Sequence, residues 1–337
     1  MSTIYLETGS ENPFYNLAFE EYVLTHRREG DYLILWQNDN TVVIGQNQNA
    51  EAEINRSFVE AHGIRVVRRM TGGGAVYHDL GNLNYSFITD AGDASQLTME
   101  VFTAPVVEAL RSLGLQAEAS GRNDILVNGK KVSGTAQRMA GGRILHHGTL
   151  LFDSDAEMVS GALHADPEKF RSKSAKSVRS RVGNIRAELA QDLTLVEFWD
   201  YLKKTLTKDG FLPQQLTEEE LAAVMDLKES KYDTWEWNFG RSPKFDLLNK
   251  RRFSGGTLEA GVRVEGGKIT EAAFYGDFLS VTSLQALTQA LSGCSFREEA
   301  VSEVLDRFPL EQFFGGIRKE EILETLFHAG DLPTGEN

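Results

Sequence analysis

The sequence predicts an α+β protein built on a largely antiparallel or mixed sheet, with a smaller α+β region at its C-terminal end. Three observations point there. Short apolar, strand-like runs and amphipathic helical stretches follow one another without the regular strand–helix–strand alternation of a parallel sheet. The segment Asp124 to Gly134 carries the Asn128-Gly129 dipeptide of a type I′ hairpin, whose two central residues need positive φ. At 337 residues the chain also exceeds what one hydrophobic core usually organises, so two domains are expected.

Pro13 to about Arg28 reads as an amphipathic helix, with Phe14, Leu17, Ala18, Tyr22 and Leu24 spaced for one buried face. Tyr32–Trp36 and Thr41–Gly45 are strand-like and are separated by the polar turn Gln37-Asn38-Asp39-Asn40. Glu51 to His62 is expected to be helical, Ile64 to Val67 a strand, and Leu83 to Ile88 another. Thr98 to Leu113 is expected to be helical, interrupted near its start by Pro105, and Ile144 to Phe152 supplies a further strand after the Asn-Gly hairpin. The character changes after Gly210. A charged helix spans Thr217 to Lys231, and an aromatic junction follows at Trp235-Glu236-Trp237-Asn238-Phe239-Gly240. Phe253 to Tyr275 reads as a hairpin turning at Glu265-Gly266-Gly267-Lys268, and helices are expected near 281–291, 297–307 and 318–328. The division is placed at 245, giving domains 1–245 and 246–337.

With 41% hydrophobic and 25% charged residues the composition is that of an ordinary globular protein. The N-terminal residues have neither the basic start nor the apolar run of a signal peptide. No segment nears the roughly 18–20 apolar residues that cross a bilayer. The single cysteine, Cys294, excludes an internal disulfide and any multi-thiolate metal site. These features together predict a cytoplasmic protein. A net charge of −14 argues against broad nucleic-acid binding. Against that acidic background, Lys169 to Arg186 holds seven basic residues and no acidic one, interleaved with serine and glycine. Such a segment serves as a solvated basic face, as a loop that folds over phosphates, or as a surface for an acidic partner.

The candidate chemistry centres on Arg68-Arg69-Met70-Thr71-Gly72-Gly73-Gly74-Ala75-Val76-Tyr77-His78-Asp79. Three residues without Cβ let a backbone approach an anion, and guanidinium groups beside them donate charge-assisted hydrogen bonds to phosphate or carboxylate. The same glycines also suit a plain tight turn. Neither the P-loop pattern nor the Rossmann glycine pattern is present. Lys131, leaving the hairpin turn, can hold a carboxylate and a phosphate together, or can be a solvated hairpin lysine. Lys130 beside it faces the other way. Asp124 is a candidate magnesium ligand, or the side chain of an Asx turn. His146-His147 lacks an i+4 partner for zinc, and His78-Asp79 is read as structural because adjacent extended residues diverge. No G-x-S-x-G is present, and Cys294 lies far in sequence from every other feature, which disfavours covalent acyl chemistry.

Taken together, these segments resemble lipoate–protein ligase, in the superfamily of biotin-protein ligases and lipoyl/octanoyl transferases. The resemblance rests on Arg68-Arg69 with Gly72 to Asp79, on Ser120-Gly121-Arg122-Asn123-Asp124, on Lys131-Val132-Ser133-Gly134, on His146-His147-Gly148-Thr149-Leu150, on Ser177 to Val182, and on Trp235 to Gly240. Met70-Thr71 stands where the family often has serine-type residues. The resemblance implies a fold of the biotin/lipoate-ligase type and a two-step reaction. ATP and lipoate give lipoyl-adenylate and pyrophosphate, and a lysine of an acceptor lipoyl domain then takes the acyl group. Acceptors would be 2-oxoacid dehydrogenase subunits or the glycine-cleavage carrier protein, with neither nucleic acid nor membrane as a partner. It further implies that Arg69, Gly73, Gly74, Ala75, Val76 and Tyr77 hold the nucleotide and ligand, and that Arg179 lies in the adenylate-binding segment. Lys131 would bridge carboxylate and α-phosphate, while Asp124 would bind Mg²⁺. Val43 and Ile44 are expected to line an apolar slot for the acyl chain. The alternatives are an acyl-carrier-dependent transferase of the same superfamily and a protein that binds lipoyl-AMP without turnover.

Overall fold

The structure is a computed structural model that describes residues 3–92, 98–163, 182–207, 210–239, 245 and 247–327. It divides into two compact units. The first comprises Met1–Ile44, Ala50–Met70 and Ala75–Gly240; the second comprises Gly45–Asn49, Thr71–Gly74 and Arg241–Asn337.

Eleven strands are described in the first unit: β1 (Thr3–Glu7), β2 (Tyr32–Trp36), β3 (Thr41–Ile44), β4 (Arg65–Arg68), β5 (Val76–His78), β6 (Asn82–Asp90), β7 (Ala117–Ser120), β8 (Asp124–Val127), β9 (Lys130–Ala140), β10 (Arg143–Leu151) and β11 (Phe211–Pro213). Eight form one sheet in the order β11-β1-β2-β6-β10-β9-β8-β7, and β4-β3-β5 form a second. The large sheet is mixed: β1 runs parallel to β2 and β11, and the other pairs are antiparallel.

Period-two alternation sends successive residues of each central strand to opposite faces. Tyr32, Ile34 and Trp36 of β2 and Leu145 of β10 meet helix α1 (Pro13–His26) in one core cluster. Leu33, Leu35 and Leu150 join a second cluster with Val106 and Leu110 of a helix over Met99–Ser112. Helix α1 starts where Asn12 accepts the Phe14 and Tyr15 N–H groups at 3.0 and 3.2 Å, with Pro13 at the position that needs no donor. Pro105 lies inside Met99–Ser112, within its first two turns, without ending it.

The helix expected over Glu51–His62 is two short pieces, Ala50–Glu53 and Arg56–Ala61, because Asn55 caps the second by accepting the Phe58 N–H. The Asn-Gly hairpin forms as expected, with φ of 51° at Asn128 and 76° at Gly129.

The second unit carries three antiparallel strands, β12 (Leu247–Phe253), β13 (Gly256–Glu265) and β14 (Lys268–Gly276), with helices at Gln285–Leu291, Glu298–Leu305, Leu310–Phe314 and Lys319–Phe327. Its own core includes Leu258, Val262, Ile269, Phe274, Phe278 and Phe314. Among the described residues no helix is long and apolar enough to cross a membrane.

Candidate functional site

The two arginines that open the glycine segment are both buried, at 1% exposure for Arg68 and 7% for Arg69. Arg68 is a clamp on its own chain. Its Nε donates to Trp237 O at 2.9 Å, its Nη2 to Asn238 O at 2.9 Å and its backbone N–H to Asn238 Oδ1 at 2.8 Å. Trp237 Nε1 donates back to Arg68 O at 2.8 Å. The aromatic junction thus locks the end of β4, and Arg68 gives its Nε and Nη2 donors to backbone carbonyls. Arg69 donates from Nη1 to Val43 O at 3.2 Å, and its backbone N–H reaches Ile44 O at 3.0 Å. Burial lowers its pKa to about 10, against the opposing effect of the Glu20 carboxylate.

Glu20 was not singled out from the sequence, yet it lies inside the first unit beside two other polar groups. Ser86 Oγ donates to Glu20 Oε1 at 2.5 Å, and Trp36 Nε1 donates to Ser86 Oγ at 2.9 Å. His147 Nδ1 lies 2.9 and 3.0 Å from the two Glu20 oxygens. A second polar chain runs from Asn16 Nδ2 to Asn38 Oδ1 at 2.9 Å, and from Asn38 Nδ2 to His78 Nδ1 at 3.1 Å. Because the Asn38 carbonyl already accepts from Asn16, its amide group is the donor and His78 Nδ1 the acceptor. Burial first, then the charges of Arg69 and His147, push the His78 pKa down to about 3, so this imidazole is neutral. The sequence signal was present: Glu20 falls three residues after Leu17 and four before Leu24, on the apolar face of α1.

Lys131 and Asp124 meet across the β8–β9 hairpin, with Nζ 2.7 Å from Oδ1 and side chains 36% and 34% exposed. The register brings them together: Asp124 pairs with Gly134 and Leu126 with Lys131, with an irregularity between Ile125 and Leu126. A Cβ at Gly134 would stand 3.3 Å from the Lys131 amine, so the glycine leaves the room that amine occupies. Lys130 has a separate partner, Glu188, at 2.9 Å. Beside Asp124 opens a cleft of about 380 Å³, lined by Ser120 to Asn123 and by Thr98, Met99, Glu100 and Thr103. Asp124 is the one carboxylate from the hairpin in that cleft, and among the described residues no group of three or more His, Cys, Asp or Glu is placed to hold a metal.

The remaining candidates are dispersed. Gly73 and Gly74 belong to the second unit. There Gly73, at φ 89°, donates its N–H to Phe278 O at 3.1 Å. A Cβ at Gly72 would come within 2.8 Å of Phe278 O and Ser280 N. Part of the need for glycine here is therefore close packing within that unit. Ala75 is half-buried, Val76 opens β5, and Tyr77 is buried with its hydroxyl donating to Asn40 Oδ1 at 2.9 Å. Burial, reinforced by Asp79, Asp155 and Asp39, pushes the Tyr77 pKa up to about 12. Val43 and Ile44 do not share a face: Val43 joins Trp36, Met70 and Val76, whereas Ile44 joins Val42, Val59 and Tyr77. Arg179, with 164–181, lies outside the described residues.

The model of the lipoyl protein ligase A/B catalytic domain matches residues 12–207, and that of the bacterial lipoate protein ligase C-terminus matches 242–326. The lipoate-protein ligase LplJ of Bacillus subtilis is 43% identical over 322 residues, covering 94% of this chain and 97% of that protein. The structure of Plasmodium falciparum LipL1 in complex with lipoate superposes with a TM-score of 0.79 at 24% identity, covering 96% of this chain and 97% of that one. A lipoate-protein ligase A bound with ATP superposes with a TM-score of 0.61 at 31% identity, covering 71% and 98%. The catalytic-domain match places the chain among protein ligases of the lipoyl type. It belongs to the lipoate–protein ligase family.

Proposed function

We propose that this protein is an ATP-dependent lipoate–protein ligase that works in the cytoplasm on acceptor lipoyl domains, with 1–245 as its catalytic part and 246–337 as its accessory part. The match to a lipoate-protein ligase over 94% of the chain carries the reaction class. In the first half-reaction a lipoate carboxylate oxygen attacks the α-phosphorus of ATP and pyrophosphate leaves. In the second, the ε-amine of an acceptor lysine attacks the acyl carbon, an amide forms, AMP departs with the acyl–phosphate bond electrons, and the amine loses its proton to solvent. Neither half needs a protein nucleophile; both need anions aligned and neutralised.

Lys131 is the group assigned to that task, bridging the lipoate carboxylate and the α-phosphate. Its 2.7 Å contact with Asp124 supports the assignment, because the amine is held half-exposed by a single carboxylate that can be exchanged for ligand. A half-exposed carboxylate beside an open cleft also fits Mg²⁺, which commonly takes one or two protein carboxylates and completes its shell with phosphate oxygens and water. When bound, the ion would neutralise the leaving pyrophosphate. Asp124 would hold it, and Lys131 would then turn from Asp124 to the substrate anions. Arg69 and the backbone of Gly73 to Tyr77 are assigned to the nucleotide and ligand, and Arg179 to closure of the basic segment over the adenylate.

The test is to mix the folded protein with lipoate, ATP and magnesium, and to follow pyrophosphate release and the mass of an acceptor lipoyl domain. Pyrophosphate and a lipoylated acceptor are expected. Folded protein that releases no pyrophosphate, or that labels the acceptor from octanoyl-carrier protein without ATP, overturns the assignment.

A further inference from the structure

The stretch that follows Arg179 is bound closely to the strand that carries Lys131. Residues 182–188 run along the first unit as a strap. Val182 forms a parallel bridge with Lys131, and the Gly183 N–H donates to Lys131 O at 2.9 Å. Further on, Ile185 and Arg186 donate their N–H groups to Leu151 O and Phe152 O at 2.8 and 2.9 Å. Asn184 exchanges two hydrogen bonds with the Ser154 backbone, at 3.0 and 2.8 Å. The strap ends in a single turn, Arg186–Glu188, whose Glu188 is 18% exposed in its side chain. Both Glu188 oxygens are engaged by the hairpin: Asn128 Nδ2 donates at 2.6 Å and Lys130 Nζ at 2.9 Å.

These contacts hold Lys131 from two sides. Gly183 fixes its carbonyl, while Glu188 fixes the turn residue three before it and the lysine immediately before it. Gly183 has no room for a side chain, since a Cβ there would stand 2.9 Å from both Cβ and Cδ of Lys130. We infer that Glu188, supported by Gly183, is a positioning residue for adenylate formation: it keeps Lys130 turned away and the Lys131 amine presented on the Asp124 side. The inference rests on the role given to Lys131 above. A partly exposed ion pair contributes only about 0–1 kcal/mol to stability. Fold stability alone therefore gives a weak account of a carboxylate bound twice to one hairpin.

The experiment uses the full chain and measures kcat and KM for lipoyl-AMP formation, with thermal unfolding in parallel. Four variants are compared: Glu188→Ala, Glu188→Gln, Glu188→Lys and the exchange Lys130→Glu with Glu188→Lys. A displacement of about an ångström can cost up to about a hundredfold in rate. The expected result is a kcat reduced about tenfold in Glu188→Ala and more in Glu188→Lys, with KM for lipoate and ATP within about twofold, the pattern of an interaction that matters in the transition state. Glu188→Gln keeps an acceptor for Asn128, and so folds even if the alanine variant does not; it should still lose rate because Lys130 is released. The charge exchange should restore kcat to within about threefold of the parent. Wild-type kcat in the single variants, a loss that follows the unfolding temperature, or no recovery in the exchange overturns the inference. Inactivity of the parent itself would instead strike the function proposed above.

Discussion

Removing the Lys131 amine should separate catalysis from folding. In Lys131→Met the stem remains and the charge is lost, so Asp124 loses a partner 2.7 Å away. Both side chains are about one-third exposed, and water can take over the Asp124 carboxylate. The expected stability loss is therefore that of an exposed ion pair, about 0–1 kcal/mol. The rate loss should be far larger. Deleting one preorganised donor from a site where charge develops typically costs about 10²–10³-fold in kcat, roughly 2.7–4 kcal/mol. The assay is pyrophosphate release under saturating lipoate, ATP and magnesium, with urea unfolding of the same preparation. Rates within about threefold of the parent would remove Lys131 from the mechanism. A large fall in urea midpoint would make the pair structural, and the bridging role would fail with it.

Replacing Arg68 with methionine should destabilise the protein by about 3 kcal/mol or more in urea unfolding, since it strips the Trp237 and Asn238 carbonyls of a buried donor; a loss below about 1 kcal/mol would refute the clamp. Burial pushes the His78 and His146 pKa values down from 6.5 to about 3, so the unfolded chain takes up protons that the native state refuses. Their stability contribution is complete above pH 6.5 and falls as pH drops toward 3, by about 1.4 kcal/mol per pH unit for each histidine. Urea midpoints at pH 7, 6 and 5 should show this, and His146→Phe, which keeps the ring stacking on Phe102, should flatten the slope; an unchanged slope would count against buried neutral His146. Chelating magnesium should stop pyrophosphate release, and Asp124→Asn should raise the magnesium requirement about tenfold or more; an unchanged magnesium titration would free Asp124 of the metal.

What could be read from the sequence was whatever local chemistry decides. The Asn128-Gly129 hairpin was legible because positive φ at two successive residues restricts the residue types that fit, and both angles are positive. Strand β7 was not, because Ala117-Glu118-Ala119-Ser120 has no β-branched or aromatic residue and exists through its pairing with β8. Helix α1 was legible as amphipathic from its apolar residues, whereas the burial of Glu20 was not, although its spacing puts it among the leucines. Arg68 and Arg69 look equivalent as a dipeptide. Only the tertiary contact with Trp237 and Asn238 distinguishes them, and no local pattern encodes a partner some 170 residues away. Gly72 and Gly73 show a related limit: a glycine run reports that a backbone must come close to something, without reporting whether that is a ligand or the Phe278–Ser280 backbone.

The same contacts separate fixed cations from an exchangeable one. A buried guanidinium that donates to backbone carbonyls, as Arg68 does, can turn to a substrate only by leaving those carbonyls unpaired, at about 1–3 kcal/mol each. Arg69 is buried and donates to a carbonyl of β3, so its position is set before any ligand arrives. Lys131 differs on both counts: its partner is a side chain rather than backbone, and both members of the pair reach solvent. Exchanging that carboxylate for a substrate anion leaves no buried group unsatisfied, and a metal ion at Asp124 would remove even the lost attraction. A cation that must release one anion and engage two others during each turnover is best placed in such a setting. Rigidity is then needed in the backbone beneath it, which is where Gly183 of the 182–188 strap donates its N–H to the Lys131 carbonyl.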